Sequence, residues 1–109
     1  SLLGRQDDYV VLPDGTRVGR LDHIFKDFES VREAQIYQPD RERVVVRIVP
    51  GEGYDDDIES AVVKNARTRL GEEIDIEVTR LEDIERTDSG KMKFVVSDIE
   101  EMQIEEAAH

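Results

Sequence analysis

Two stretches of the chain carry more chemistry than packing requires. Arg86-Thr87-Asp88-Ser89-Gly90-Lys91 sets an ammonium beside a hydroxyl and a permissive glycine. An ammonium is a compact point charge with three donors, suited to holding a phosphate or carboxylate oxygen as charge builds on it. Near the start, Gly4-Arg5-Gln6-Asp7-Asp8 pairs a guanidinium with two carboxylates. Taken singly, each stretch also has a plainer reading. The first can be a β-turn followed by a solvated lysine, the second an exposed segment with an ion pair of little energetic weight. The first falls between strands and the second at the entrance to the chain, and loops on a rigid scaffold are where binding and catalysis concentrate.

The remaining candidates are explained by structure more readily than by chemistry. His23 and His109 are the only histidines. His23 adjoins an apolar helical face with nothing nearby to complete a dyad, so it reads as a surface or half-buried residue. Asp55-Asp56-Asp57 lacks the ligand spacing of a calcium loop and reads as the start of a helix, where carboxylates meet unpaired N–H groups. Asp56 and Glu59 have the spacing of a capping box. Tyr9, Tyr37 and Tyr54 lack the basic context of a nucleic-acid stacking platform. No metal site is expected.

Composition narrows the field further. The chain has 109 residues, one domain's worth, with 15 basic and 27 acidic side chains and a net charge of −12. Such a charge repels phosphate backbones and anionic lipid surfaces, which argues against nucleic-acid and membrane partners. The absence of cysteine excludes thiol catalysis, a disulfide framework and a Cys-ligated zinc. No apolar run approaches the roughly 20 residues of a membrane span, and nothing at the start resembles a signal peptide. A cytoplasmic location is expected. Residues 1–3 read as a cloning remnant and linker, and residues 100–109 as an acidic tail, partly disordered or helical.

The elements that must hold the two stretches follow from periodicity. Tyr9-Val10-Val11-Leu12, the turn signal Pro13-Asp14-Gly15 and Thr16-Arg17-Val18 predict a hairpin, after which Gly19 frees the chain to change direction. Leu21, Ile24, Phe25, Phe28 and Val31 share one helical face and predict a first helix over 20–30. Residues 34–38 and 44–49 predict two antiparallel strands. A second helix is expected over 56–70, with Gly71 as its left-handed terminator. Alternating Ile74, Ile76 and Val78, then Phe94-Val95-Val96, predict two further strands. The fold class is α+β: a small, mostly antiparallel sheet with two helices plus an N-terminal β-hairpin.

Taken together and in this order, the motifs resemble a known arrangement. Gly-Arg-x-Asp-Asp, a hairpin with Asp-Gly at its tip, and a later Arg-Thr-x-Ser-Gly-Lys are similar to the C-terminal lid domain of adenylate-forming enzymes, the acyl-CoA synthetase superfamily. Residues 7–19 and Arg32-Glu33-Ala34-Gln35-Ile36-Tyr37-Gln38 most resemble the phenylacetate–CoA ligase and CapK-like branch. The resemblance spans 4–99, the extent of the expected lid domain.

The resemblance implies an enzyme that joins a carboxylic acid to ATP, forming an acyl-adenylate, and then passes the acyl group to a thiol such as coenzyme A. It implies ATP and Mg in the intact enzyme, with coenzyme A as the thiol, and a large N-terminal domain of the same chain as partner. The lid alone would be inactive and would hold no cofactor. Lys91 would be the catalytic lysine of adenylation. Arg5 would bind nucleotide. Asp7, with Asp8 beside it, would be the hinge. Gly15, Arg17 and Gly19 would form the hairpin that lines the thiol tunnel. Phe94 stands where the family often has an arginine. From a different class, the same element order suits a stand-alone regulatory ligand-binding module that dimerises through an exposed sheet edge, with Lys91 a surface residue.

Overall fold

The best-specified element begins at a carboxylate. Asp55 is the N-cap of α1 (Asp56–Leu70), and its Oδ1 accepts the Ile58 N–H at 2.9 Å. Asp56, Asp57 and Glu59 fill the first turn and Arg67 and Arg69 the last, each sign placed to complement the helix dipole. The acidic run is thus used for capping. The box expected from Asp56 to Glu59 does not form, because the cap lies one residue earlier. Glu59 instead accepts from the Tyr54 hydroxyl at 2.9 Å and from Arg80 Nε at 2.7 Å. Gly71 ends the helix with φ 90° and ψ −172°, its N–H bonded to the Arg67 carbonyl. The positive φ is as expected, but ψ is extended rather than left-handed helical, a conformation open almost only to glycine.

The structure, a computed structural model, describes residues 9–84 and 94–99. Ahead of α1 lie β1 (Val10–Val11), β2 (Arg17–Val18), a 3-10 helix (Leu21–Ile24), β3 (Val31–Asp40) and β4 (Arg43–Pro50). After it come β5 (Asp75–Arg80) and β6 (Val95–Ser97). The class is α+β, and the N-terminal antiparallel hairpin forms as predicted, with Val10 opposite Val18. No described helix is long and apolar enough to cross a membrane.

Two details of the expected architecture are corrected. The sheet has the order β5-β4-β3-β6 and is mixed rather than mostly antiparallel. β3 and β4 pair antiparallel, with Ile36 opposite Val46, whereas β4–β5 and β3–β6 are parallel. The cause is α1. A helix of 15 residues rises about 22 Å, enough to carry the chain back along β4 so that β5 starts from the same end.

The predicted helix over 20–30 is replaced by a four-residue 3-10 helix and turns. Phe25, Phe28 and Val31 donate their N–H groups to the carbonyls of Asp22, Phe25 and Phe28. Apolar residues three apart are served as well by successive i to i+3 bonds as by one α-helix. Arg20, which precedes the 3-10 helix, offers no side-chain cap.

The core lies on one face of the sheet. Ile36, Val44, Val46, Ile48 and Val95 point toward Val62, Ala66 and Leu70 of α1, and Leu21, Ile24 and Val10 close the margin. On the other face, the Arg47 guanidinium lies 4.3 Å from the Tyr37 ring centroid and donates to Gln35 Oε1 at 2.9 Å. The Tyr37 hydroxyl donates to Asp98. That bond is the main reason its ionisation is pushed above the usual phenol range.

Candidate functional site

Of the residues singled out by sequence, Gly15, Arg17 and Gly19 lie on the described hairpin, while Arg5, Asp7, Asp8 and Lys91 lie outside the described residues. The hairpin tip is built by local bonds. Leu12 donates to the Thr16 carbonyl and Gly15 to the Leu12 carbonyl, each at 2.8 Å. Asp14 Oδ1 accepts the Thr16 N–H at 2.9 Å, which helps hold its carboxyl below the usual carboxylate range. Gly15 sits at φ 93° with no heavy atom within 4 Å of a would-be Cβ. Glycine is therefore demanded by the backbone angle and not by crowding.

Arg17 is exposed, with its guanidinium 5.3 Å from the Tyr9 ring centroid. That contact orients a cation at the hairpin without burying it. Gly19 is used differently from the sequence expectation. The positive φ falls on Arg20, at 53°, and Gly19 is not among the positive-φ glycines. What Gly19 contributes is its carbonyl, which accepts from Arg69 Nη1 of α1 at 3.2 Å.

The hairpin is held to the sheet by a residue that the sequence reading passed over. Gln38, on β3, is fully buried. Its Oε1 accepts the Val11 N–H at 2.9 Å, and its Nε2 donates to the Val11 carbonyl at 2.6 Å. A carboxamide can mimic a strand edge in this way, and both buried backbone groups of Val11 are satisfied by one side chain. The signal was available: Ala34, Ile36 and Gln38 share the core-facing parity of β3. A polar residue there must find a partner inside.

The same strand fixes the described residues that follow the segment 85–93. Ile84 before it is buried, and Val95 after it pairs with Ile36. Phe94 packs edge-on against Phe25, with centroids 6.0 Å apart and planes at 89°, while its carbonyl accepts the Ile36 N–H. The residue standing where a family arginine is common thus serves packing here. At the end of β5, Arg80 bonds Asp56 Oδ1 and Glu59 Oε1, both at 2.7 Å, and lies over the Tyr54 ring. One strand, β3, therefore carries the hairpin through Gln38 and the exit of 85–93 through Ile36.

Residues 10–98 match the family described as the CapK C-terminal domain. The chain belongs to that family. No curated protein sequence matches it significantly. This CapK C-terminal domain is similar in structure to the amide bond synthetase McbA from Marinactinospora thermotolerans. The TM-score is 0.61 at 26% identity, over 79% of this chain and 18% of McbA. It also resembles 2-hydroxyisobutyryl-CoA ligase in the postadenylation state in complex with 2-HIB-AMP. There the TM-score is 0.58 at 18% identity, over 94% of this chain and 23% of the ligase. An open conformation of that ligase, in complex with 2-HIB-AMP and CoA, matches with a TM-score of 0.53 at 20% identity, over 75% and 20%. The two ligase likenesses, under 25% identity, speak to fold. The CapK domain spans about a fifth of the length of each of these proteins.

Proposed function

We propose that this CapK C-terminal domain is the mobile lid of an ATP-dependent carboxylic acid ligase. Its partner is a large N-terminal domain of the same chain, which supplies most of the ATP and acid site. In the first reaction a carboxylate oxygen of the acid attacks the α-phosphorus of ATP. The bond to the β-phosphate oxygen breaks, and pyrophosphate leaves with the acyl-adenylate remaining. In the second, a thiolate, that of coenzyme A, attacks the acyl carbon, and AMP leaves as the thioester forms. The proton lost by the thiol passes to solvent.

Lys91 is assigned to the first step, where its ammonium offsets charge gathering between the carboxylate and the α-phosphate. Arg5 holds the nucleotide, and its fork of donors matches ribose and phosphate oxygens. Asp7 and Asp8 form the hinge, absorbing the change in backbone torsions between two lid orientations. Gly15, Arg17 and Gly19 line the thiol tunnel in the second orientation. Arg17 fits that task as an exposed cation already oriented by Tyr9. Magnesium travels with the triphosphate and is held outside this domain. The isolated lid is inactive, and the intact enzyme is cytoplasmic.

The observation that supports this reading is the shared mounting on β3. Gln38 grips the hairpin and Ile36 grips the exit of 85–93. A rigid-body swing of the domain would then exchange one segment for the other without repacking the core. A dimerising regulatory module is the weaker alternative, since the edge strand β5 exposes Asp75 and Glu77, charges of the kind that discourage edge pairing.

The deciding experiment uses the full-length gene product. Acid-dependent release of pyrophosphate from ATP is expected, and it should vanish when this domain is deleted and return when the domain is covalently restored. Acid-dependent pyrophosphate release that persists without the domain would overturn the lid role.

A further inference from the structure

A concave surface includes Arg69, whose guanidinium also bonds the Gly19 carbonyl. It is a cleft of about 500 Å³ between the 3-10 helix and α1, lined by His23, Ile24, Lys26, Asn65, Thr68 and Arg69. The chain carries 27 acidic residues against 15 basic ones, yet among the described residues no carboxylate lines this cleft. Lys26 and Arg69 do, with an imidazole, a carboxamide, a hydroxyl and the apolar Ile24 beside them.

We infer that this cleft binds the phosphate groups of a small anionic ligand. Arg69 spends Nη1 on the Gly19 carbonyl at 3.2 Å, and a guanidinium has five N–H donors in a planar fork suited to phosphate oxygens. Lys26 is exposed and adds a point charge from the opposite wall. Asn65 is oriented by its bond to the Ile24 carbonyl at 3.3 Å, and Thr68 by its bond to the Lys64 carbonyl at 3.1 Å.

The volume falls within the usual range for small-ligand sites, roughly 300–1,000 Å³. A phosphate or diphosphate presents enough oxygens for two cations and the second amide N–H of Asn65 together, whereas a single carboxylate presents two. The cleft lies along the C-terminal half of α1, where the helix dipole is unfavourable to anions. Side chains rather than backbone must therefore supply the attraction. Asp22 and Asp27 are exposed neighbours outside the lining, and charges farther off are damped beyond a Debye length of about 8 Å at physiological salt.

This inference does not depend on ligase activity, so its test does not either. The 109-residue chain is titrated with sodium pyrophosphate, ADP and coenzyme A while backbone amide resonances are followed. Saturable shifts are expected at residues 23–26 and 65–69. Lys26→Gln should weaken binding about threefold and Lys26→Gln with Arg69→Gln at least about tenfold, as expected for losing one exposed and then one half-buried charge contact. Tighter binding of coenzyme A than of pyrophosphate would identify the larger ligand as the source of the phosphates, and equal affinities a free phosphate group. Shifts that fail to saturate, that fall elsewhere, or that keep their midpoint in Lys26→Gln would overturn the inference. Lys26 is exposed, so its replacement tests the site even if Arg69→Gln disturbs folding.

Discussion

Gln38 and Val11 are joined by two hydrogen bonds, N–H to Oε1 at 2.9 Å and Nε2–H to the carbonyl at 2.6 Å. Through this pair the N-terminal hairpin becomes an extension of the central sheet, although 27 residues separate the two in sequence. Val10 is the hairpin's member of the central core cluster, with Leu12 and Val18 packed against it.

Gln38→Leu should therefore cost more than a lost polar contact. It strands a buried N–H and a buried carbonyl on Val11, at about 1–3 kcal/mol for each unsatisfied group. A loss of about 2 kcal/mol or more is expected in urea unfolding, with faster amide exchange across 10–18. A change within about 0.5 kcal/mol, the size of an ordinary surface substitution, would mean that the hairpin is held by something else.

Backbone angles give a pair of predictions of opposite sign. Gly15 has φ 93° and Arg20 φ 53°. Gly15→Ala forces a side chain into the glycine region and should destabilise by about 1–2 kcal/mol, despite the open space around it. Arg20→Gly removes a left-handed non-glycine residue and should stabilise by up to about 1 kcal/mol, offset in part by the freedom glycine adds to the unfolded chain. Thermal melts of the two variants should move in opposite directions.

The tyrosines supply a pH test. Burial, then the hydrogen bond to Glu59, push the Tyr54 phenol up to about 12. The folded state thus holds this proton when the unfolded chain, with a phenol near 10, has begun to release it. The stabilisation from Tyr54 is complete below about pH 10 and is lost as pH rises toward 12. Ultraviolet difference titration should show a late phenolate transition, which disappears in Tyr54→Phe. Retention of the late step in that variant would assign it to Tyr37, whose ionisation is also raised.

The parts of the fold legible in sequence are those fixed by neighbours in the chain. α1 (Asp56–Leu70) coincides with its predicted span because its acids, apolar stripe and Gly71 are all local signals. The hairpin is likewise announced by Pro13-Asp14-Gly15. Residues 20–30 depart from the expected helix because Leu21, Ile24, Phe25 and Phe28 fit a helical face, while the hydrogen bonding follows the three-residue spacing they also contain. The parallel pairings of β5 and β6 were invisible because each partner lies far off along the chain. The role of Gln38 is hidden in sequence for the same reason: it exists only once Val11 is beside it. Of the site, Gly15, Arg17 and Gly19 fall on the hairpin as read, with the direction change moved to Arg20. The assignments of Arg5, Asp7, Asp8 and Lys91 rest on resemblance.

Lys91→Ala in the full-length protein tests the proposed lid role most directly, with the two half-reactions measured apart. Pyrophosphate release reports adenylation, and thioester yield from supplied acyl-adenylate reports transfer. Adenylation should fall by about 10²–10³, the scale of one lost charge-stabilising donor in a dry site. Transfer should be nearly unchanged, while Arg17→Ala should show a weaker loss confined to transfer. Equal losses in both half-reactions for Lys91→Ala, or no loss in either, would contradict the lid carrying a step-specific lysine.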